Sequence, residues 1–134
     1  MNKNWIYFGV FLDLKSKNKL LELTNNVADQ SWKRYCHHMT IAFNNGSELS
    51  KHLYNRYKDY FGTEVKITAT HIGISDEAIA VKVFFKGDTA NKIAHVTLAT
   101  PQGGKPVKSN YIENWRRLKN PIDLTGTIEE FIKN

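Results

Sequence analysis

Two five-residue segments, His38-Met39-Thr40-Ile41-Ala42 and His95-Val96-Thr97-Leu98-Ala99, repeat one pattern and constrain this chain more than any other feature. Each is short, apolar and rich in bulky or β-branched residues, which predicts a strand whose side chains alternate between two faces. His38, Thr40 and Ala42 then share one face, as do His95, Thr97 and Ala99. Met39, Ile41 and Phe43 in the first copy, and Val96 and Leu98 in the second, form the opposite face and suit burial. One side of each strand is core, and the other side is free for chemistry.

The residues around these strands predict one α+β domain spanning residues 1–134, with antiparallel or mixed sheets. Trp5 to Leu12 reads as a first strand with Ile6, Phe8, Val10 and Leu12 toward the core and Trp5, Tyr7, Gly9 and Phe11 on the other face. A helix follows from Leu14 to Ala28, and a second from Ser47 to Tyr60 after the turn Asn44-Asn45-Gly46. Val65 to Ile74 and Ala78 to Phe85 form a hairpin around Ser75-Asp76-Glu77. The connection Gly87 to Lys92 is too short for a parallel crossover, so the second His strand should run antiparallel to its neighbour. After the loop Pro101 to Pro106, the spacing predicts a short helix over Ser109 to Leu118 and a last strand over Ile122 to Phe131.

Apolar residues make up 41% of the chain, enough for a globular core, and no apolar run is long enough to span a bilayer. Trp5 to Leu12 passes into Asp13 with no small-residue cleavage site, which predicts a strand rather than a signal sequence and a soluble, cytoplasmic protein. The single Cys36 excludes an intramolecular disulfide. The net charge of +6 favours anionic partners, nucleotides or RNA, and neither a membrane nor a DNA partner is expected.

Cleavage of a phosphodiester needs a base for the attacking hydroxyl or water and an acid for the leaving oxygen, and imidazole serves both near neutral pH. A histidine on each side of a phosphate supplies that pair without a metal. Thr40 and Thr97, each two residues along on the same face, can donate to non-bridging oxygens and hold the phosphate between His38 and His95. Tyr7 is a candidate to stack on a base or bond a phosphate, and Lys105 to contact a phosphate from the loop Gly103 to Asn110. That loop is not a Walker A sequence, because Pro106 stands at the Ser/Thr place. Cys36-His37-His38 lacks metal-ligand spacing, so no metal is expected there, and alternation should turn His37 away from the face that carries His38 and Thr40. His52 is expected at the surface and His71 in a structural role. Trp32, Tyr111 and Trp115 suit packing, and Glu129 suits solvation.

His38-Met39-Thr40-Ile41 and His95-Val96-Thr97-Leu98 together resemble the two H-x-T-x motifs of the two-histidine (2H) phosphoesterase superfamily, which includes the LigT-like RNA ligases and cyclic phosphodiesterases. The resemblance implies a bilobed, pseudosymmetric fold with sheets around a central groove and flanking helices, and no cofactor. The small size and compact layout also look like the phage anti-CBASS nucleases of that superfamily. In such an enzyme a ribose 2′-hydroxyl attacks the adjacent phosphodiester to give a 2′,3′-cyclic phosphate that water can open. The expected activity is a metal-independent phosphodiesterase acting on cyclic oligonucleotides or RNA 2′,3′-cyclic phosphates. The alternatives are a nucleotide- or RNA-binding module without turnover and an RNA-end-processing or ligase-like enzyme.

Overall fold

The computed structural model describes residues 4–133. Trp5–Leu12 forms β1 and Leu14–Val27 forms α1; the short β2, Lys33–Arg34, precedes β3, His38–Phe43. Glu48–Tyr57 is α2, followed by a 3-10 turn at Lys58–Tyr60, the hairpin β4 (Glu64–Ile74) and β5 (Ile79–Phe84), and β6, His95–Thr100. A 3-10 segment at Pro106–Tyr111 leads into β7, Trp115–Ile132.

Both helices begin where a side chain can satisfy free backbone donors. Asp13 accepts from Ser16 N at 2.8 Å ahead of α1, and Ser47 accepts from Ser50 N at 3.0 Å ahead of α2. Ser16, Leu20 and Thr24 recur every fourth residue and give α1 one buried face. On α2 the buried positions are Ser50, Leu53, Tyr54 and Tyr57, and Ser50 Oγ donates to the Phe43 carbonyl at the end of β3.

The strands run in the order β2-β6-β3-β1-β7-β4-β5, and β5 pairs in turn with β6. That last pairing, with Ala80 opposite Thr97 and Lys82 opposite His95, closes six strands into an antiparallel barrel with β2 as an extra strand beside β6. The expected bilobed α+β arrangement with flanking helices is therefore incorrect. The protein is mostly sheet, and the hairpin β4–β5 joins β6 to β7 instead of founding a second lobe. One main cluster, including Phe8, Val10, Met39, Ile41, Ile67, Val81, Val96, Leu98, Leu124 and Ile128, spans the strands. Every strand pair is antiparallel.

Two further expectations differ from the structure. The predicted helix over Ser109 to Leu118 is replaced by the 3-10 segment and the first residues of β7. β7 pairs with β4 from Glu64 to Gly73, and Trp115, Arg116 and Arg117 extend that ladder opposite Gly73, Ile72 and His71. Ladder pairing with packing outweighs local helical spacing. On β1, a register irregularity between Trp5 and Tyr7 shifts the alternation. Trp5 is consequently buried (6% exposed) and stacks on Tyr54 at 4.5 Å, while Ile6 is exposed (39%). Phe8, Val10 and Leu12 are core as expected. No helix among the described residues is long and apolar enough to cross a membrane.

β1 and β3 also slip register between Phe8 and Gly9, and Gly9 lies where a Cβ would collide with the Met39 carbonyl oxygen. Gly9→Ala must push β3 aside and should cost about 1–3 kcal/mol, read as a lower urea midpoint at unchanged m. Unaltered stability would show that β1 does not pack against β3 this closely.

Candidate active site

Met39 of β3 pairs with Val96 of β6, and both side chains are fully buried. Strand alternation turns the flanking residues the other way, so His38 and Thr40 share a face with His95 and Thr97. All four line one cavity of about 460 Å³, together with Tyr7 and Lys105. The six residues singled out from sequence thus meet at one place.

His37 is there as well, contrary to the alternation. Tyr35 N donates to Leu98 O and Cys36 N to Thr97 O, each at 2.9 Å, and the next paired residue is Met39 with Val96. The chain advances three residues while β6 advances one, so His37 and His38 form a bulge. Cys36 supports the turn with φ of 60°, a left-handed conformation unusual for a residue other than glycine. Released from strict alternation, both imidazoles line the cavity. Cys36 itself is in the core, its Sγ 3.3 Å from Thr24 Oγ1, and burial pushes its thiol pKa up.

The surroundings of the two motif histidines differ. His95 Nδ1 lies 2.8 Å from the Ile93 carbonyl, which can only accept, so Nδ1 carries the proton and Nε2 is left for the cavity. Burial lowers the His95 pKa, and the Ile93 carbonyl opposes that by stabilising the charged ring. The His38 ring is packed with Tyr7 at 4.9 Å and Phe11 at 5.4 Å between centroids. Burial first, then repulsion from His37 and His95, pushes the His38 pKa down to about 4. Burial also lowers His37, with Lys17 and Lys33 adding to the effect, and raises the Tyr7 phenol. Both shifts favour the uncharged form of the motif imidazoles in the free protein.

The two threonines also differ. Thr97 Oγ1 is 2.8 Å from Ser109 Oγ, which ties the 3-10 segment to β6, whereas Thr40 makes no hydroxyl bond to another described residue. Lys105 is exposed at the cavity rim without an ion pair among the described residues, while Lys108 is held 3.2 Å from Glu77. A phosphate entering the cavity would meet Thr40 and Lys105 as uncommitted donors.

Several lining residues escaped sequence reasoning. Tyr35 follows β2, a two-residue strand with too little pattern to detect. Phe43, expected in the core, is 47% exposed and lines the cavity, because Ala42 takes the buried place at the end of β3. Asn91 and Asn110 come from two connections distant in sequence, with no spacing signal to link them. Both also border, with His95 and Trp115, an adjoining cavity of about 190 Å³. Trp32, Tyr111 and Glu129 do not line the main cavity. His52 is exposed, and His71 lies on β4 bonded to Thr70 at 2.9 Å, away from the site.

No family model matches the sequence, and no curated protein matches it. Among solved structures the chain is similar to a fungal RNA kinase, with a TM-score of 0.69 and 14% sequence identity. The match covers 96% of this chain but 45% of the kinase chain, so the present fold corresponds to less than half of that protein. At this identity the similarity establishes a shared fold.

Proposed function

We propose that this chain is a metal-independent phosphodiesterase acting on small ribonucleotides, with cyclic oligonucleotides or 2′,3′-cyclic phosphates as substrates. The observation that carries the reading is the convergence of His38, Thr40, His95 and Thr97 on one cavity. Its volume falls in the range of small-ligand pockets. The resemblance of the paired motifs to two-histidine phosphoesterases supports the same chemistry. The fungal RNA kinase that shares the fold is named for an RNA substrate, which supports a ribonucleotide ligand.

In this reading His38 is the base for the first step. Burial and its two imidazole neighbours keep it neutral, so Nε2 can take the proton of a ribose 2′-hydroxyl as the oxygen attacks phosphorus. His95 is the acid, because the Ile93 carbonyl accepts its Nδ1–H and supports the imidazolium that delivers a proton from Nε2 to the leaving 5′-oxygen. Thr40 and Lys105 meet the charge that develops on the non-bridging oxygens, and Thr97, oriented by Ser109, takes the side nearer His95. The products are a 5′-hydroxyl and a 2′,3′-cyclic phosphate. Hydrolysis of that ring runs with the roles exchanged, His95 activating water and His38 protonating the departing 2′-oxygen. Tyr7, packed on His38, limits the ring's freedom and offers an aromatic face near the cavity.

Incubation in EDTA with cyclic di- and trinucleotides and 2′,3′-cyclic mononucleotides, followed by mass spectrometry, should show turnover of at least one compound. His38→Ala and His95→Ala should each lower the rate by about 10²- to 10⁴-fold. A ligand bound tightly and recovered unchanged would instead identify a sequestering protein.

The pH dependence follows from the signs of the shifts. The base is active when unprotonated, so kcat/KM should rise as pH passes through the His38 value of about 4. The acid is active when protonated, so kcat/KM should fall as pH passes the His95 value, which lies below the ordinary 6.5. The free-enzyme bell should thus centre on the acid side of 6.5, and a bound phosphate anion should shift the kcat profile to higher pH. A kcat/KM optimum above pH 7 would contradict these assignments.

A further inference from the structure

His37 lies outside the His-x-Thr pattern, yet its Nδ1 is 2.5 Å from Nδ1 of His38. The two rings are 19° from parallel with centroids 4.6 Å apart. Face-to-face rings cannot bring two nitrogens this close, because unbonded heavy atoms settle at about 3.5 Å or more. The imidazoles therefore meet edge to edge through a hydrogen bond. Two bare lone pairs would repel and two N–H groups would clash, so one proton lies between them.

That proton can belong to either ring, with different results for the cavity. If His37 donates, neutral His38 carries its own proton on Nε2 and cannot accept another there. If His38 donates, its Nε2 presents a lone pair. His95 shows the second arrangement, since the Ile93 carbonyl compels Nδ1 to be the donor. A His38 ring that gains a proton at Nε2 also carries N–H at both nitrogens, and it then needs an acceptor at Nδ1. Among the described residues, His37 is the one within hydrogen-bond distance of that nitrogen.

We propose that His37 is a positioning residue whose unprotonated Nδ1 accepts the Nδ1–H of His38, leaving His38 Nε2 free to take up a proton in the cavity. This inference rests on the reading of His38 as a general base. The backbone holds His37 in place through Leu12 N, which donates to the His37 carbonyl at 2.9 Å, and Tyr35 packs edge-on against its ring at 6.0 Å. Lys17 of α1 and Lys33 of β2 act on His37, and Tyr7 of β1 and His95 of β6 face His38. Lys17 and Lys33 add to burial in disfavouring a positive charge on His37, which keeps its Nδ1 available as an acceptor. The two histidines thus obtain the same tautomer by different means: a backbone carbonyl for His95 and a second imidazole for His38.

The test uses ¹⁵N-detected NMR of the imidazole nitrogens, which reads the His38 tautomer without reference to activity, in the wild-type protein, His37→Phe and His37→Asn. The wild type should show His38 protonated at Nδ1. His37→Phe keeps a ring but removes the acceptor; the His38 proton should redistribute toward Nε2, and kcat should fall about 10- to 100-fold with KM within about twofold. His37→Asn, whose amide oxygen can accept at the same place, should restore most of the tautomer and the rate. Wild-type His38 protonated at Nε2, or an unchanged tautomer and kcat in folded His37→Phe, would overturn the inference. Should the Phe variant not fold, the wild-type spectrum decides alone. Turnover that survives His38→Ala would overturn the general-base reading, while the NMR result would still decide whether His37 sets the His38 proton.

Discussion

The site depends on one pairing, Met39 with Val96, where β3 and β6 meet. It buries two apolar side chains on the core face and so commits the residues on both sides of each to the opposite face. Beyond it the two strands find other partners. On the amino-terminal side of β3 the bulge carries His37 and His38, and on the other side Ala90 N donates to Ile41 O at 2.8 Å. The Gly87 to Lys92 connection therefore occupies the β3 edge that β6 leaves, and it brings Asn91 to the cavity. A fuller β3–β6 ladder would close the space in which the motif side chains meet.

Within that space the polar groups have unequal partners. His95 has a fixed acceptor in a carbonyl, and His38 has a titratable neighbour and an aromatic packing shell. The Thr97 hydroxyl is bonded to Ser109, and the Thr40 hydroxyl has no bond to another of the described residues. The two motifs are near copies in sequence, but their environments differ, so the fold provides an electrostatic asymmetry that the repeat does not contain. Water exclusion around His38 lowers its pKa and strengthens its interaction with any charge placed beside it.

Much of the site was legible because strand alternation is local and has a strict period of two. It places His38 and Thr40 on one face and His95 and Thr97 on another, and these faces line one cavity, and it places Phe8, Val10 and Leu12 in the core. It failed wherever an extra residue broke the period. The shift between Trp5 and Tyr7 exchanged the places of Trp5 and Ile6, and the two-residue bulge after Cys36 turned His37 into the cavity. A left-handed Cys36 has no signal in sequence, since its conformation is imposed by pairing on both sides. The helix expected over Ser109 to Leu118 failed for a different reason: the edge of β4 was not visible from that segment alone.

The sequence by itself determined β1, β3, β4, β5 and β6, the helices beginning near Leu14 and Ser47, and the alternating faces of His38 to Ile41 and His95 to Leu98. These follow from side-chain period and short-range hydrogen bonding, which involve residues only a few positions apart. The tertiary structure decided that the sheet closes through β5 and β6 into a barrel, that β7 extends back to Trp115, and that Tyr35, His37, Phe43, Asn91 and Asn110 join the cavity. Each of those outcomes depends on pairing or packing between segments far apart in the chain, where the energy of a residue is set by what lies opposite it rather than by its neighbours in sequence.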